Sequence, residues 1–165
     1  MHMEIIRFIH TIFSVVALLA GGYVLLNHKG TQRHKVVGRV YAISMLVLLI
    51  TSFFIFDLFG SFGPFHVLSI VSIITLALGM YFPLFARQNR GWLIQHYMWM
   101  SYSYVGLVMA GGSHLFGLMP AWPYWLQMAL FWGLPYVVGS ILIFWNRKRI
   151  LQEVKARTGM DFVVR

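Results

Sequence analysis

Histidine is the residue type in this chain with the most chemistry to offer, because neutral imidazole ligates haem iron, zinc and copper. There are seven of them in 165 residues. His2 lies in the N-terminal tail. The other six fall at two depths of the apolar segments that carry them: His10, His66 and His114 near one end, and His28, His34 and His96 near the other. His96 and His114 are 18 residues apart, as are His10 and His28. That spacing is about five helical turns, so each pair points one way from opposite ends of a helix. Imidazoles at matched depth on alternate helices are what a two-haem b-type cytochrome requires, with one ring on each side of each iron and tuning by burial and hydrogen bonds. On this reading His10 and His66 hold an outer haem b, and His34 and His96 an inner one.

The neighbours of these residues permit a macrocycle. Ser14, Ala17 and Gly21 share the His10 face, Gly38 and Ala42 the His34 face, and Met100 and Ser103 the His96 face. Small residues also line ordinary helix contacts in membranes, so this pattern is permissive only. Arg33, Lys35 and Arg39 are placed to pair with the propionates of an inner haem. His114 extends the outer pair to a trio with His10 and His66, and His28 does the same for His34 and His96. Three converging imidazoles suit copper or zinc instead of haem. The plain alternative for any one of these residues is an imidazole resting at headgroup level.

The elements that must position them are membrane spans. The chain is 59% hydrophobic and 10% charged with mean hydropathy +0.74, whereas a soluble domain carries about 25% charged residues. Five apolar spans are expected, at about 8–26, 40–58, 65–85, 97–118 and 122–145, each near the ~20 residues needed to cross a bilayer. The expected fold is an all-α membrane protein. Four of the five helices form an antiparallel, cytochrome-b-like bundle in which spans one and three, and two and four, are diagonal. Residues 1–145 make one transmembrane domain. Residues 146–165 make a basic cytoplasmic tail that forms a short surface helix.

Of the 13 Lys and Arg residues, all but Arg7 fall within Lys29–Arg39, Arg87–Arg90 and Arg147 to the C-terminus. These segments follow spans one, three and five. By the positive-inside pattern they are cytoplasmic, with the N-terminus outside. The net charge of +9 is therefore read as contact with anionic headgroups and not with nucleic acid. Arg7 before an apolar run ending in "ALLAGG" resembles a secretory signal, but Lys29, Arg33, Lys35 and Arg39 after it argue for a retained span. Trp92, Trp99, Trp122, Trp125 and Trp145 mark the interfaces, and Pro83 and Pro135 mark kinks.

With no cysteine, disulfides, thiolate metal sites and iron–sulfur clusters are excluded. The four acidic residues, Glu4, Asp57, Glu153 and Asp161, all lie away from mid-span, which argues against a carboxylate proton relay. No phosphate loop, G-x-S-x-G or H-E-x-x-H motif is present, so hydrolase and nucleotide-driven activities have no support.

The stretches "RHKVVGRVYAISMLVLLITSFFI", "GPFHVLSIVSIITLALGMYFPLFARQNRGWLIQHYMWM" and "SYVGLVMAG" resemble a bacterial family of predicted membrane proteins, domain of unknown function 2306. The resemblance covers about His10 to Leu118. It rests on a histidine in span one, "HKxxGR" opening span two, "FHxLS" opening span three and "QHYxWM" opening span four. It implies a compact helical membrane domain, in the bacterial inner membrane, with His10, His34, His66 and His96 at its characteristic positions. It implies no activity. More remotely, the plan is similar to transmembrane two-haem cytochromes b.

Three functions are thus expected candidates: a haem b protein carrying electrons within or across the membrane between a quinol or other redox partner and an acceptor; a histidine-based copper or zinc protein; and a non-catalytic assembly factor or subunit of a membrane complex.

Overall fold

The computed structural model describes residues 2–56, 60–89, 91–118 and 121–159. Asp57 lies outside them, as do residues 58–59, Arg90, and residues 119–120 and 160–165. Among the described residues the chain is all-helical, without strands. The helices are α1 (His2–Leu26), α2 (Gln32–Ser52), α3 (Pro64–Phe85) and α4 (Trp92–Ser113), then α5 (Tyr124–Met128) running through a π-helical turn at Ala129–Gly133 into α6 (Leu134–Thr158). The wide turn falls just ahead of Pro135, whose missing N–H and ring disturb the helical ladder.

Four of the five helical stretches are long and apolar enough to cross a bilayer: α1, α2, α3 and Tyr124–Ala156. The fourth expected span, α4, has the length, 22 residues, but not the apolarity. The reason is its place in the fold. It packs on α1, α3 and α6, so Ser101 and Ser103 are buried against other helices. A helix surrounded by protein can carry polar side chains provided each finds a partner. By contrast Val67, Ile70, Val71 and Ile74 on α3, and Val137, Ile141, Leu142 and Phe144 on α6, are exposed in the isolated chain, as hydrocarbon-facing residues must be.

Two helical hairpins, α1–α2 and α3–α4, form the bundle, and α6 lies against α4. The core holds Ala17, Ala20, Tyr41, Met45, Leu48, Leu76 and Leu107. Its centre is polar at one point, where the Tyr41 hydroxyl and Ser103 Oγ hydrogen-bond at 2.9 Å across the α2–α4 diagonal. Tyr104 fills the space opposite α1 and donates to the Leu18 carbonyl at 3.2 Å. The small residues that share the His10 face serve this tyrosine layer: a Cβ at Gly21 would overlap the Tyr104 ring and lie 2.9 Å from Tyr41 Cε2.

The helices overrun the apolar spans. Helix α2 begins at Gln32, capped by the Thr31 hydroxyl accepting from the His34 backbone N–H at 3.1 Å, so Arg33, Lys35 and Arg39 lie on its first two turns. Helix α6 continues through the basic segment to Thr158. There Leu151 and Val154 bury against Leu93 at the start of α4, while Lys148, Arg149 and Lys155 are exposed.

A methyl group at Gly21 costs about 1–3 kcal/mol of overpacking, against about 0.5–1 kcal/mol gained by replacing a helical glycine. Gly21→Ala should therefore lower the thermal midpoint in detergent by several degrees. Gly133→Ala, helical and with open space around its Cβ, should raise it slightly. Equal effects, followed by circular dichroism, would contradict this packing.

Candidate functional site: an imidazole pair at the basic end of the bundle

The site begins with Pro83 inside α3. Proline has no N–H, so the carbonyl four residues earlier, Gly79, receives no helical hydrogen bond. In a membrane helix that carbonyl must find another donor. His96 Nδ1 supplies it from α4, at 2.6 Å from Gly79 O. The approach is close because Gly79 has no side chain; a Cβ there would overlap Met100. A carbonyl only accepts, so the proton of the neutral His96 ring sits on Nδ1 and the lone pair on Nε2.

His34, one turn into α2, faces His96 across the diagonal. The ring centroids are 6.4 Å apart and the planes stand at 89°. His34 Nδ1 is buried and has no hydrogen-bond partner. One turn further along α2, a Cβ at Gly38 would meet nothing within 4 Å, so open space adjoins the pair. Arg33, Lys35 and Arg39 are exposed on the same turns and make no ion pair among the described residues.

The three basic segments gather at this end. His28 Nδ1 and Glu153 Oε1 are 2.7 Å apart, tying the α1–α2 loop to α6. Lys29 Nζ donates to the carbonyls of Val24, Leu25 and Asn27 at 2.6–2.7 Å, closing the C-terminus of α1. Burial holds the Lys29 pKa below its usual value, with Glu153 pulling the other way. Arg87 lies over the Trp92 ring, 5.9 Å from its centroid. His28 is thus engaged with a carboxylate, a partnership the spacing of histidines does not disclose.

The opposite end is arranged differently. His10 Nδ1 is 3.1 Å from Thr51 Oγ1. Thr51 Oγ1 gives its hydrogen to the Val47 and Leu48 carbonyls, so it accepts from His10, whose Nε2 keeps the lone pair. His114 ends α4, within electrostatic reach of His10. His66 is buried and stacked between Phe56 and Phe62, at centroid distances of 4.9 and 5.0 Å. Its Nδ1 accepts the Gly63 N–H at 3.1 Å, capping α3. That places the proton on Nε2, so ligation through Nε2 would require the cap to be released. No ring contact joins His10 to His66 among the described residues, and no group of three or more His, Asp or Glu side chains there is placed to hold a metal ion. Of the expected pairs, the fold brings only His34 and His96 into ring contact.

A bundle of long apolar helices whose described basic residues other than Arg7 lie at one end defines a polytopic helical membrane protein. The chain belongs to the family described as Predicted membrane protein (DUF2306), whose profile matches residues 7–146. No curated protein and no solved structure matches it.

Replacing His96 by Phe leaves the Gly79 carbonyl buried and unpaired, a loss of about 1–3 kcal/mol. Pro83→Ala restores a helical donor to that carbonyl. It should therefore stabilise the His96→Phe protein more than it stabilises the parent. Denaturant unfolding of the four proteins in detergent measures the coupling; simple additivity would refute the link.

Proposed function

We propose that this protein carries electrons in the membrane through a single b-type haem held between His34 and His96. The observation that carries the reading is the approach of the two rings. The ring centroids are 6.4 Å apart, a separation at which one metal ion could reach a nitrogen of each ring.

The residues present suit the group. His96 donates its Nδ1–H to a backbone carbonyl, the arrangement that fixes an imidazole ligand's tautomer and raises its basicity. Gly38 leaves room beside His34. Arg33, Lys35 and Arg39 supply cations for propionates. When bound, haem supplies one-electron redox chemistry at iron. The protein's part would be to present one nitrogen of each ring, to fix the His96 ring through Gly79, and to surround the site with helices. The outer residues are left out of ligation because no ring contact joins His10 to His66 among the described residues and the His66 lone pair is spent on the cap of α3.

The basic segments at the His34–His96 end support a cytoplasmic orientation for it. The N-terminus then lies outside, α4 is a fifth span, and the membrane is the bacterial inner membrane.

Protein purified from haem-replete cells should show a sharp reduced α-band of bis-histidine haem b. His34→Ala and His96→Ala should each abolish it, while His10→Ala and His66→Ala should retain it. A featureless spectrum would refute the haem. Retention in the His34→Ala and His96→Ala proteins would refute the site.

A further inference from the structure

The seam between the two hairpins, α2 against α3, is uneven along its length. At the outer end it is pinned by a hydrogen bond from Ser52 Oγ to Ser69 Oγ, 2.8 Å. Toward the basic end the two helices leave a groove of about 260 Å³, walled by Ala42, Ile43 and Leu46 of α2 and by Ile73, Ala77 and Met80 of α3. Ile43, Leu46 and Ala77 are exposed, so the groove opens to hydrocarbon. Its walls carry no charge, but α2 supplies charge immediately beyond them. Arg39 precedes Ala42 by three residues and Ile43 by four, which makes it the direct neighbour of both on the helix surface. Lys35 stands one turn further out. At about 100° per residue, Lys35 and Arg39 lie within about 40° of the line through Ala42 and Leu46, whereas Arg33 lies on the far side of α2. Helical side chains lean toward the N-terminus, here the basic end, so both stems run from the groove mouth toward the membrane surface. Both residues are exposed, and neither makes an ion pair among the described residues.

We infer that this groove holds an acyl chain of an anionic phospholipid from the adjoining leaflet, with the lipid phosphate bound by Lys35 and Arg39. Depth, walls and charge agree on that occupant. Leu46 is 11 residues beyond Lys35, about 16 Å along the helix axis, and one leaflet of a ~30 Å hydrocarbon core is about 15 Å thick. The groove and its cations therefore span one leaflet, from headgroup level to midplane. Apolar walls open to the bilayer take a chain from it. Two adjacent cations without ion-pair partners favour a headgroup of net negative charge over a zwitterion, whose own ammonium they repel. A neutral ring or alcohol would leave both charges unused. His34 lies about 100° around α2 from Lys35 and faces His96, so the assignment does not rest on the haem.

The test is native mass spectrometry of the detergent-solubilised full chain, titrated with phosphatidylglycerol and, separately, with phosphatidylethanolamine of the same chains. Phosphatidylglycerol should saturate at one tightly bound lipid and bind more tightly than phosphatidylethanolamine. Each Lys or Arg beside an anionic headgroup is worth about fivefold in affinity. Replacing both, Lys35→Gln with Arg39→Gln, should therefore weaken phosphatidylglycerol about 25-fold and leave phosphatidylethanolamine nearly unchanged. Lys148→Gln with Arg149→Gln removes two exposed charges from α6 at the same end and should bind like the parent. Ala77→Phe, at an exposed position, fills the groove and should weaken both lipids. His34→Ala, which cannot hold the haem, should retain phosphatidylglycerol. Equal affinity for the two lipids, an equal loss in the α6 double variant, full affinity in Ala77→Phe, or loss of binding in His34→Ala would each overturn the assignment.

Discussion

A proline within a membrane helix leaves one carbonyl without a helical partner, and in hydrocarbon that debt is met from another helix. Here the carbonyl is that of Gly79 and the donor is His96. Much of the site depends on that one bond. It ties α3 to α4, sets the ring orientation of His96, puts the proton on Nδ1, and turns the free lone pair away from α3. His34 then meets that ring across the bundle at 6.4 Å. Two turns along both helices, Tyr41 and Ser103 repeat the α2–α4 contact as a buried hydrogen bond. The diagonal is thus met at two levels, by the imidazole rings and by this hydrogen bond.

The two ends of the bundle use imidazole differently. At the basic end, His96 spends one nitrogen on a carbonyl and His34 spends none on any neighbour, so the pair faces inward with capacity to spare. At the other end His10 is bound to Thr51, and His66 is a helix cap wrapped in phenylalanine. Equal depth in the chain therefore does not mean equal availability. What distinguishes the ends is that His34 and His96 meet, whereas the lone pair of His66 is spent on a helix cap.

The helices and their order were legible in the sequence because long apolar runs separated by basic segments have few other solutions. Their ends were less so. Hydrophobicity falls at Arg33–Arg39 and after Trp145, yet α2 and α6 continue there, since a helix needs only hydrogen bonds and a cap, not apolar side chains. The meeting of His34 with His96 followed from bundle topology. The role of Pro83 did not, because a kink can be read from one helix but its orphaned carbonyl becomes informative only beside its partner. His66 carried a faint signal: glycine, proline at the first helical position and an acceptor at the third is the pattern of a capped helix start. The engagement of His28 with Glu153, 125 residues away, left no local trace.

The most direct test of the central claim is low-temperature electron paramagnetic resonance of the oxidised protein loaded with haem. Were haem held by both His34 and His96, whose ring planes stand at 89°, the oxidised protein would give a single strongly anisotropic low-spin feature at low field. A high-spin signal, meaning that one imidazole or none reaches the iron, or a signal unchanged when both His34 and His96 are replaced, would contradict the account.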